Sequence, residues 1–328
     1  MTRILASAFL MLIALPLHAD EGVMITKEKD VLDFKIGKSL VTRYHIGEAV
    51  AKPYFYPMNA PGDIPVTRAW PMEKGAPKET TDHVHQKSAW FCHGDVIPEG
   101  IEIKQKIKGV KGIDFWSEAV GHGKIVCVDV GTPKNSAAQA SVATKNEWRT
   151  ADGTKILDET RVIRLHKLPS GSRLLELDID LLASVCPITF GDTKEGSFGV
   201  RVNDEIIAKN GGHFFNADGK KDEKEIWGNQ SAWCDYVGAI GGKVAGIAVF
   251  DDPANKPAAC WHARGYGLMA ANPFGRDRSF PSQKGKTELV KLAKGDHLKL
   301  RYGILLHAGD TQEGKVAEAF ASFKKRVD

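Results

Sequence analysis

Residues 155–181 read KILDETRVIRLHKLPSGSRLLELDIDL. In the second half Leu175, Leu177, Ile179 and Leu181 alternate with Glu176, Asp178 and Asp180, so one face is apolar and the other acidic. A period of two marks a half-buried strand, because successive side chains leave a pleated chain on opposite sides. Pro169-Ser170-Gly171-Ser172 separates this run from the one before it, which predicts a hairpin between two long strands. The alternation recurs at 297–307, HLKLRYGILLH, where Leu298, Leu300, Tyr302, Ile304 and Leu306 share a face. Shorter runs of this kind are VMITKE, VLDFKI, SLVTRYHI, IEIKQKIK, KIVCVDV, AGIAVF and YGLMA, with glycine and proline between them. Only 311–325 has helical spacing, through Val316, Ala319, Phe320 and Phe323, and Asp310 with Glu313 resembles a capping box. The pattern predicts an all-β protein, one large single β-sandwich with a C-terminal helix.

The chain starts differently. Residues 1–19, MTRILASAFLMLIALPLHA, carry Arg3, no acid, an apolar run from Ile4 to Leu17 and a small-residue end at Ala19. That is the pattern of a signal peptide, and the run is short of the ~20 residues a spanning helix needs. The expectation is a periplasmic or secreted protein, off the membrane after cleavage, with residues 20–328 forming one domain. The formal charge of +4 falls to +3 without Arg3, and lysines are scattered among acids, as in KKDEKE at 220–225. No basic stripe with interleaved aromatics is present, which excludes nucleic acid as an expected partner. Five cysteines (Cys92, Cys127, Cys186, Cys234, Cys260) allow up to two bridges in an oxidising compartment.

Chemistry is densest at 80–95, TTDHVHQKSAWFCHGD. On an extended strand His83 and His85 would project from one face, with Asp82 and Gln86 placed to hold their tautomers. Such a pair can move a proton or hydrogen-bond a ligand, and with His93 it would form a metal set. At 190–201, FGDTKEGSFGVR, Asp192, Lys194 and Glu195 combine acids with a base between glycines, a second proton-transfer candidate. KPYFYPMNAPGDIPVTRAWPM (52–72) holds five prolines and reads as a rigid loop, with Arg68 placed to grip a carboxylate or hydroxyl. SAWCDYVG (231–238) and CWHARGYGLMAANPFG (260–275) offer Trp233, Asp235, Tyr236, Trp261, His262, Arg264, Tyr266 and Asn272. Flat aromatics beside charged and amide groups suit sugar rings. No G-x-S-x-G, G-x-G-x-x-G, P-loop or H-E-x-x-H motif occurs, which argues against the common serine hydrolases, dinucleotide enzymes, kinases and zinc proteases.

Taken in order, KPYFYPMNAPGDIPVTRAWPM, TDHVHQKSAWFCHGDV, GIDFW, FGDTKEGSFGVRV, WCDYVG and WHARGYGLMAANPFG resemble the PmoA-like family of secreted bacterial proteins, often labelled methane oxygenase PmoA. The resemblance spans about residues 50–310. Family members usually show D-H-x-H-H-x-G where this chain has Asp82-His83-Val84-His85-Gln86-Lys87-Ser88, so Gln86 and Ser88 depart from the pattern. The family also runs G-D-V-N-G-x-D-F-W unbroken, whereas here Gly94-Asp95-Val96 and Asp114-Phe115-Trp116 are separated by a segment containing IEIKQKIK, expected as an extra hairpin strand beside the site. The resemblance implies a β-sandwich of the galactose-mutarotase-like supersandwich type, akin to aldose epimerases, and a carbohydrate ligand.

Together these readings point to a carbohydrate-active enzyme doing acid/base chemistry at a sugar carbon, by epimerisation, elimination or glycosidic cleavage. His83, His85, Asp192, Lys194 and Glu195 are the candidate catalytic groups. Arg68, Trp90, Arg201, Trp233, Asp235, Trp261, His262 and Asn272 are the candidate substrate-binding groups. Two other classes stand beside this one: a non-catalytic carbohydrate-binding protein, and a metal-dependent oxidoreductase with a divalent metal on His83, His85 and His93. No cofactor is otherwise implied. The leader predicts cleavage after Ala19. N-terminal sequencing of exported protein should start at Asp20, and an intact Met1 on a membrane-embedded product would refute it.

Overall fold

The computed structural model describes residues 22–74 and 79–326; residues 1–19, read above as a leader, lie outside them. The hairpin in 155–181 forms as the alternation predicts. Lys155–Lys167 pairs antiparallel with Arg173–Leu182, Lys167 standing opposite Arg173. Its turn closes through the Leu168 N–H donating to the Ser172 carbonyl at 3.0 Å. Gly171 there takes φ +83°, a conformation strained for any residue with a Cβ. Arg173–Leu182 pairs in turn with His297–Ala308, setting Leu175, Leu177 and Ile179 opposite Ile304, Tyr302 and Leu300. These strands lie in the middle of a nine-stranded sheet whose edges are His213–Asn216 and Lys124–Val130.

A second nine-stranded sheet runs from Val23–Lys27 to Cys260–Ala263, through Ala89–His93, Gly196–Arg201 and Leu268–Asn272. The two sheets share one core and form a β-sandwich. Phe198 stacks on Tyr302 of the facing sheet at 5.1 Å, and Phe91 stands 6.2 Å from the same ring. Burying each such ring contributes about 1.5–3 kcal/mol. Register then assigns the faces. Phe91, Phe198, Ala271 and Trp261 stand side by side across four strands and turn inward. Their neighbours along each strand, Trp90, Gly199, Ala270 and His262, form the next row and turn away from the core.

Three expectations need correction. The proline-rich segment is not a loop throughout, since Tyr54–Ala60 is a strand of the second sheet. It tolerates Pro57 because its pairing with Ala89–His93 stops at Phe55 and its pairing with Ser39–His45 shifts register between Phe55 and Met58, leaving Pro57 out of both ladders. IEIKQKIK forms no strand; Ile101 and Ile103 pack partly buried against the core, but no neighbouring strand is there to pair with them. The C-terminal helix is Val316–Lys325, because Lys315 takes a left-handed conformation that breaks the helix before it. Asp310 and Glu313 do exchange backbone-to-side-chain bonds, but within the preceding turn. All five cysteines are free thiols.

Trp233 and Asp235, expected at a binding site, belong to the scaffold. Trp233 packs with Phe250, Phe320 and Phe323 beneath the C-terminal helix. Asp235 is buried, its Oδ1 3.0 Å from His307 Nε2 and its Oδ2 accepting from the Thr311 hydroxyl at 2.7 Å. Burial would lower the His307 pKa, but the Asp235 carboxylate outweighs it and raises the pKa above the ordinary 6.5. A raised histidine contributes stability that is fully present below pH 6.5 and lost as pH climbs through the folded-state value. His307→Gln should therefore lower stability by about 3 kcal/mol at pH 6, and by less at higher pH. Denaturant melts across pH test this; a pH-independent gap would refute it.

Candidate functional site

The outward row makes a floor. Trp116 packs edge-on against Trp90, rings 5.0 Å apart at 63°. A Cβ at Gly199 would come within 2.7 Å of Trp90 and 3.0 Å of Trp116, so the floor closes only over a residue with no side chain. Trp116 is delivered by a tight turn in which Asp114 Oδ1 accepts the N–H groups of Trp116 and Ser117 at 2.7 and 2.9 Å. Buried Lys52 donates to the Trp116 carbonyl at 2.9 Å and pairs with Glu118, which also takes Lys87 at 2.6 Å.

The histidine stretch is a loop, not a strand, and His83 takes φ +45°. Two fully buried arginines hold it. Arg68 donates to Thr80, to the Asp82 carboxylate and to the Asp82 and His83 carbonyls. Arg201 donates to the same Asp82 oxygen at 2.9 Å and to Gln86 Oε1 at 2.7 Å, and its guanidinium lies 4.7 Å over the Tyr266 ring. Burial alone would raise the Asp82 carboxyl, but Arg201, His83 and Arg68 together hold it below its ordinary range. The other Asp82 oxygen stands 2.9 Å from His83 Nδ1. A carboxylate only accepts, so Nδ1 carries a proton toward Asp82 and Nε2 is the ring nitrogen left for other partners. His83 also stacks on Tyr266, rings 5.2 Å apart at 5°.

The 192–195 turn precedes Gly196–Arg201 and faces this loop. His262, on the outward row, sets its Nδ1 2.9 Å from the Lys194 carbonyl, which likewise fixes the proton on Nδ1. Asn272 Nδ2 donates to the Thr193 carbonyl at 2.9 Å, tying the same turn from below. The result is a cleft of about 330 Å³ lined by His83, His85, Glu195, His262, Arg264 and Tyr266, among others. Desolvation dominates its electrostatics. Burial, helped by Lys52 and His83, lowers His85 to about 4. Burial, helped by Lys194 and Arg264, lowers His262 to about 3. The carboxyls move the other way: burial raises Glu195 and Asp114 above their ordinary values. Neutral imidazoles therefore face carboxyls displaced toward the protonated form.

Of the candidate residues, His83, His85, Lys194, Glu195 and His262 line the cleft, and Arg68, Arg201, Trp90 and Asn272 support it from behind. Asp192 does not line it; its carboxylate accepts the backbone N–H groups of Arg276 and Arg278 at 2.7 and 2.9 Å on the far side of the turn. Trp261 is core, its indole N–H donating to the Ser231 carbonyl at 2.9 Å. His93 cannot join His83 and His85 on a metal, because it is buried beneath the turn, with Nε2 at 2.9 Å from the Gly191 carbonyl and Phe274 against its ring. Among the described residues no three His, Cys, Asp or Glu side chains stand together as a metal-holding group. Asp114, Trp116 and Ser117 line the cleft without having been singled out for it, together with Arg264 and Tyr266 of the segment read above as sugar-binding. Alternation in CWHARGY, with Trp261 inward and His262 outward, was the available signal for the last two.

The model of a family of unknown function, DUF6807, matches residues 31–321. No curated protein matches the sequence. Among solved structures, a beta-arabinopyranosidase aligns at TM-score 0.38 and 10% identity over 81% of this chain; the match spans only 39% of that protein. A GalM/aldose epimerase homologue from C. elegans aligns at 0.33 and 10%, and a galactose 1-epimerase from Lactobacillus acidophilus NCFM at 0.37 and 8%. Each of these two covers 88% of this chain and 98% of its own.

The double arginine clamp has a measurable consequence. Arg201→Met removes the donor to Gln86 Oε1 and one of the two arginine donors to Asp82 Oδ1, and should cost about 2 kcal/mol. The loss stays below that of a fully buried pair because Asp82 is partly solvated. Chemical denaturation reads it directly. An unchanged unfolding midpoint would mean that the loop does not depend on the clamp.

Proposed function

The chain belongs to DUF6807, a family of unknown function, and we propose that this member binds a carbohydrate in the cleft and moves protons on it. In this reading His83, oriented by Asp82, is the base and Glu195 is the acid. One observation carries it: two stretches about 110 residues apart in sequence line one cleft, bringing an imidazole oriented by Asp82 beside a carboxyl whose pKa burial raises. His85 and His262 are neutral hydrogen-bonding groups above about pH 4 and 3. The cleft volume suits a sugar residue or two. The motif series supports reading the chain as PmoA-like, and the leader pattern supports an exported protein.

A panel of oligosaccharides, assayed for turnover and for binding, tests this. The acid is active only while protonated, so the rate should fall as pH rises through the Glu195 value, which lies above 4.5. Glu195→Gln should remove that alkaline limb. His83→Asn and Glu195→Gln should each slow turnover by about 10²–10⁴-fold with the fold retained. The double variant should be little worse than either, because the two act as a unit. Sugar binding with no turnover by the parent protein would leave a carbohydrate-binding site and end the enzyme reading.

A further inference from the structure

Two cations face the cleft, and neither is fully engaged by the protein. Arg264 makes one ion-pair contact, Nη1 to Glu223 at 3.3 Å, and Lys194 Nζ stands 3.8 Å from Glu195, beyond hydrogen-bond reach. Arg68 and Arg201, by contrast, direct their guanidinium nitrogens to several acceptors in the His83 loop. Lys194 and Arg264 are also solvent-accessible, with side chains 49% and 32% exposed. Of the two acids lining the cleft, Glu195 stays 3.8 Å from Lys194 and Asp114 is occupied by the N–H groups of Trp116 and Ser117. His262 registers the resulting field: after burial, the main influences depressing it are Lys194 and Arg264. A cleft lined by the Lys194 and Arg264 cations selects a ligand bearing a negative charge.

We propose that the carbohydrate is a uronate, a sugar whose exocyclic carbon is a carboxylate, gripped by Arg264 and Lys194 while His83 removes the proton at C5. The proposal rests on the acid/base reading above and adds the substrate class to it. A ring C–H of a neutral sugar is far too weak an acid for an imidazole. A C–H beside a carboxylate is within reach once cations neutralise that carboxylate, because the electron pair left on carbon spreads into the carboxyl group. Arginine suits this role, since its planar fork matches a carboxylate. The step balances without oxidant, reductant or water. The C5–H bond breaks, its proton goes to His83 Nε2, and the electron pair enters the carboxyl group. That pair then forms the C4=C5 bond as the C4–O bond breaks, and the departing oxygen takes the Glu195 proton. The products are a 4,5-unsaturated uronate and a shortened chain with a free hydroxyl; the proton on His83 returns to Glu195 through solvent.

The test sets oligogalacturonate and oligoglucuronate against neutral galactose and glucose oligomers of equal length, using the intact mature protein. Calorimetry reads binding and ultraviolet absorbance reads the unsaturated product. At low salt the uronates should bind about tenfold or more tighter than the neutral oligomers, and Arg264→Gln should abolish that margin while changing neutral-sugar binding less than about twofold. Lys194→Gln should act in the same direction. Neutral oligomers bound and turned over as well as uronates would overturn the uronate inference and leave the acid/base reading standing. Failure of both classes to bind would end both. C5 exchange with deuterated solvent but no unsaturated product would support the substrate class and proton removal, and would overturn the elimination step.

Discussion

The Asp82 carboxylate, clamped between two buried guanidinium groups, is the interaction on which the site depends. The segment bearing His83 and His85 has no strand or helix to define it. Its conformation comes from Arg68 and Arg201, which between them bind Thr80, Asp82, the His83 carbonyl and Gln86. Arg201 ends the strand Gly196–Arg201 and Arg68 lies beside it, its backbone N–H donating to the Arg201 carbonyl at 3.2 Å; their side-chain N–H groups find acceptors in the loop folded over them. A buried guanidinium left unpaired would be costly, so core formation and loop order are coupled. The clamp also keeps Asp82 ionised, which fixes the His83 tautomer.

The same four strands build the core with one row and the cleft with the next. Phe91, Phe198 and Trp261 fill the space between the sheets, and Trp90, Gly199 and His262 make the floor and wall outside. Gly199 sits where both demands meet, since any side chain there would displace Trp90 and Trp116. Core packing therefore positions the cleft without an intervening flexible element. The Lys194-Glu195 turn is fastened to that frame by His262 and Asn272 rather than by its own residues.

Desolvation and charge act on the same groups in different proportions. For Asp82 and His307, a close opposite charge outweighs burial and the ionised form wins. For Glu195 burial outweighs the Lys194 ammonium at 3.8 Å, and for His85 and His262 it outweighs the nearby Glu118 and the Lys194 carbonyl, so each shift runs toward the neutral form. Scaffold groups are thus ionised and locked, whereas the cleft imidazoles His85 and His262 are neutral and the Glu195 carboxyl is shifted toward protonation.

Side-chain alternation in 155–181 and 297–307 was enough to determine the long strands, their hairpin and the apolar faces, because period-two burial is a local property of a pleated chain. The helical spacing of Val316, Ala319, Phe320 and Phe323 was legible for the same reason. Residue types also marked the histidine loop and the Lys194-Glu195 turn as chemical. Only the tertiary structure decided which polar residues face the cleft. Asp235 and Asp192 look like site acids in sequence, yet one is consumed by His307 and Thr311 and the other by backbone N–H groups. His93 lies ten residues from His83 but is buried among Phe190 and Phe274, while Arg264 and Tyr266, over 180 residues away, line the cleft. The physical reason is strand order: Ala89–His93, Gly196–Arg201, Leu268–Asn272 and Cys260–Ala263 are neighbours in the sheet and distant in the chain. Hydrogen-bond partners across such strands are set by register, which no local pattern encodes.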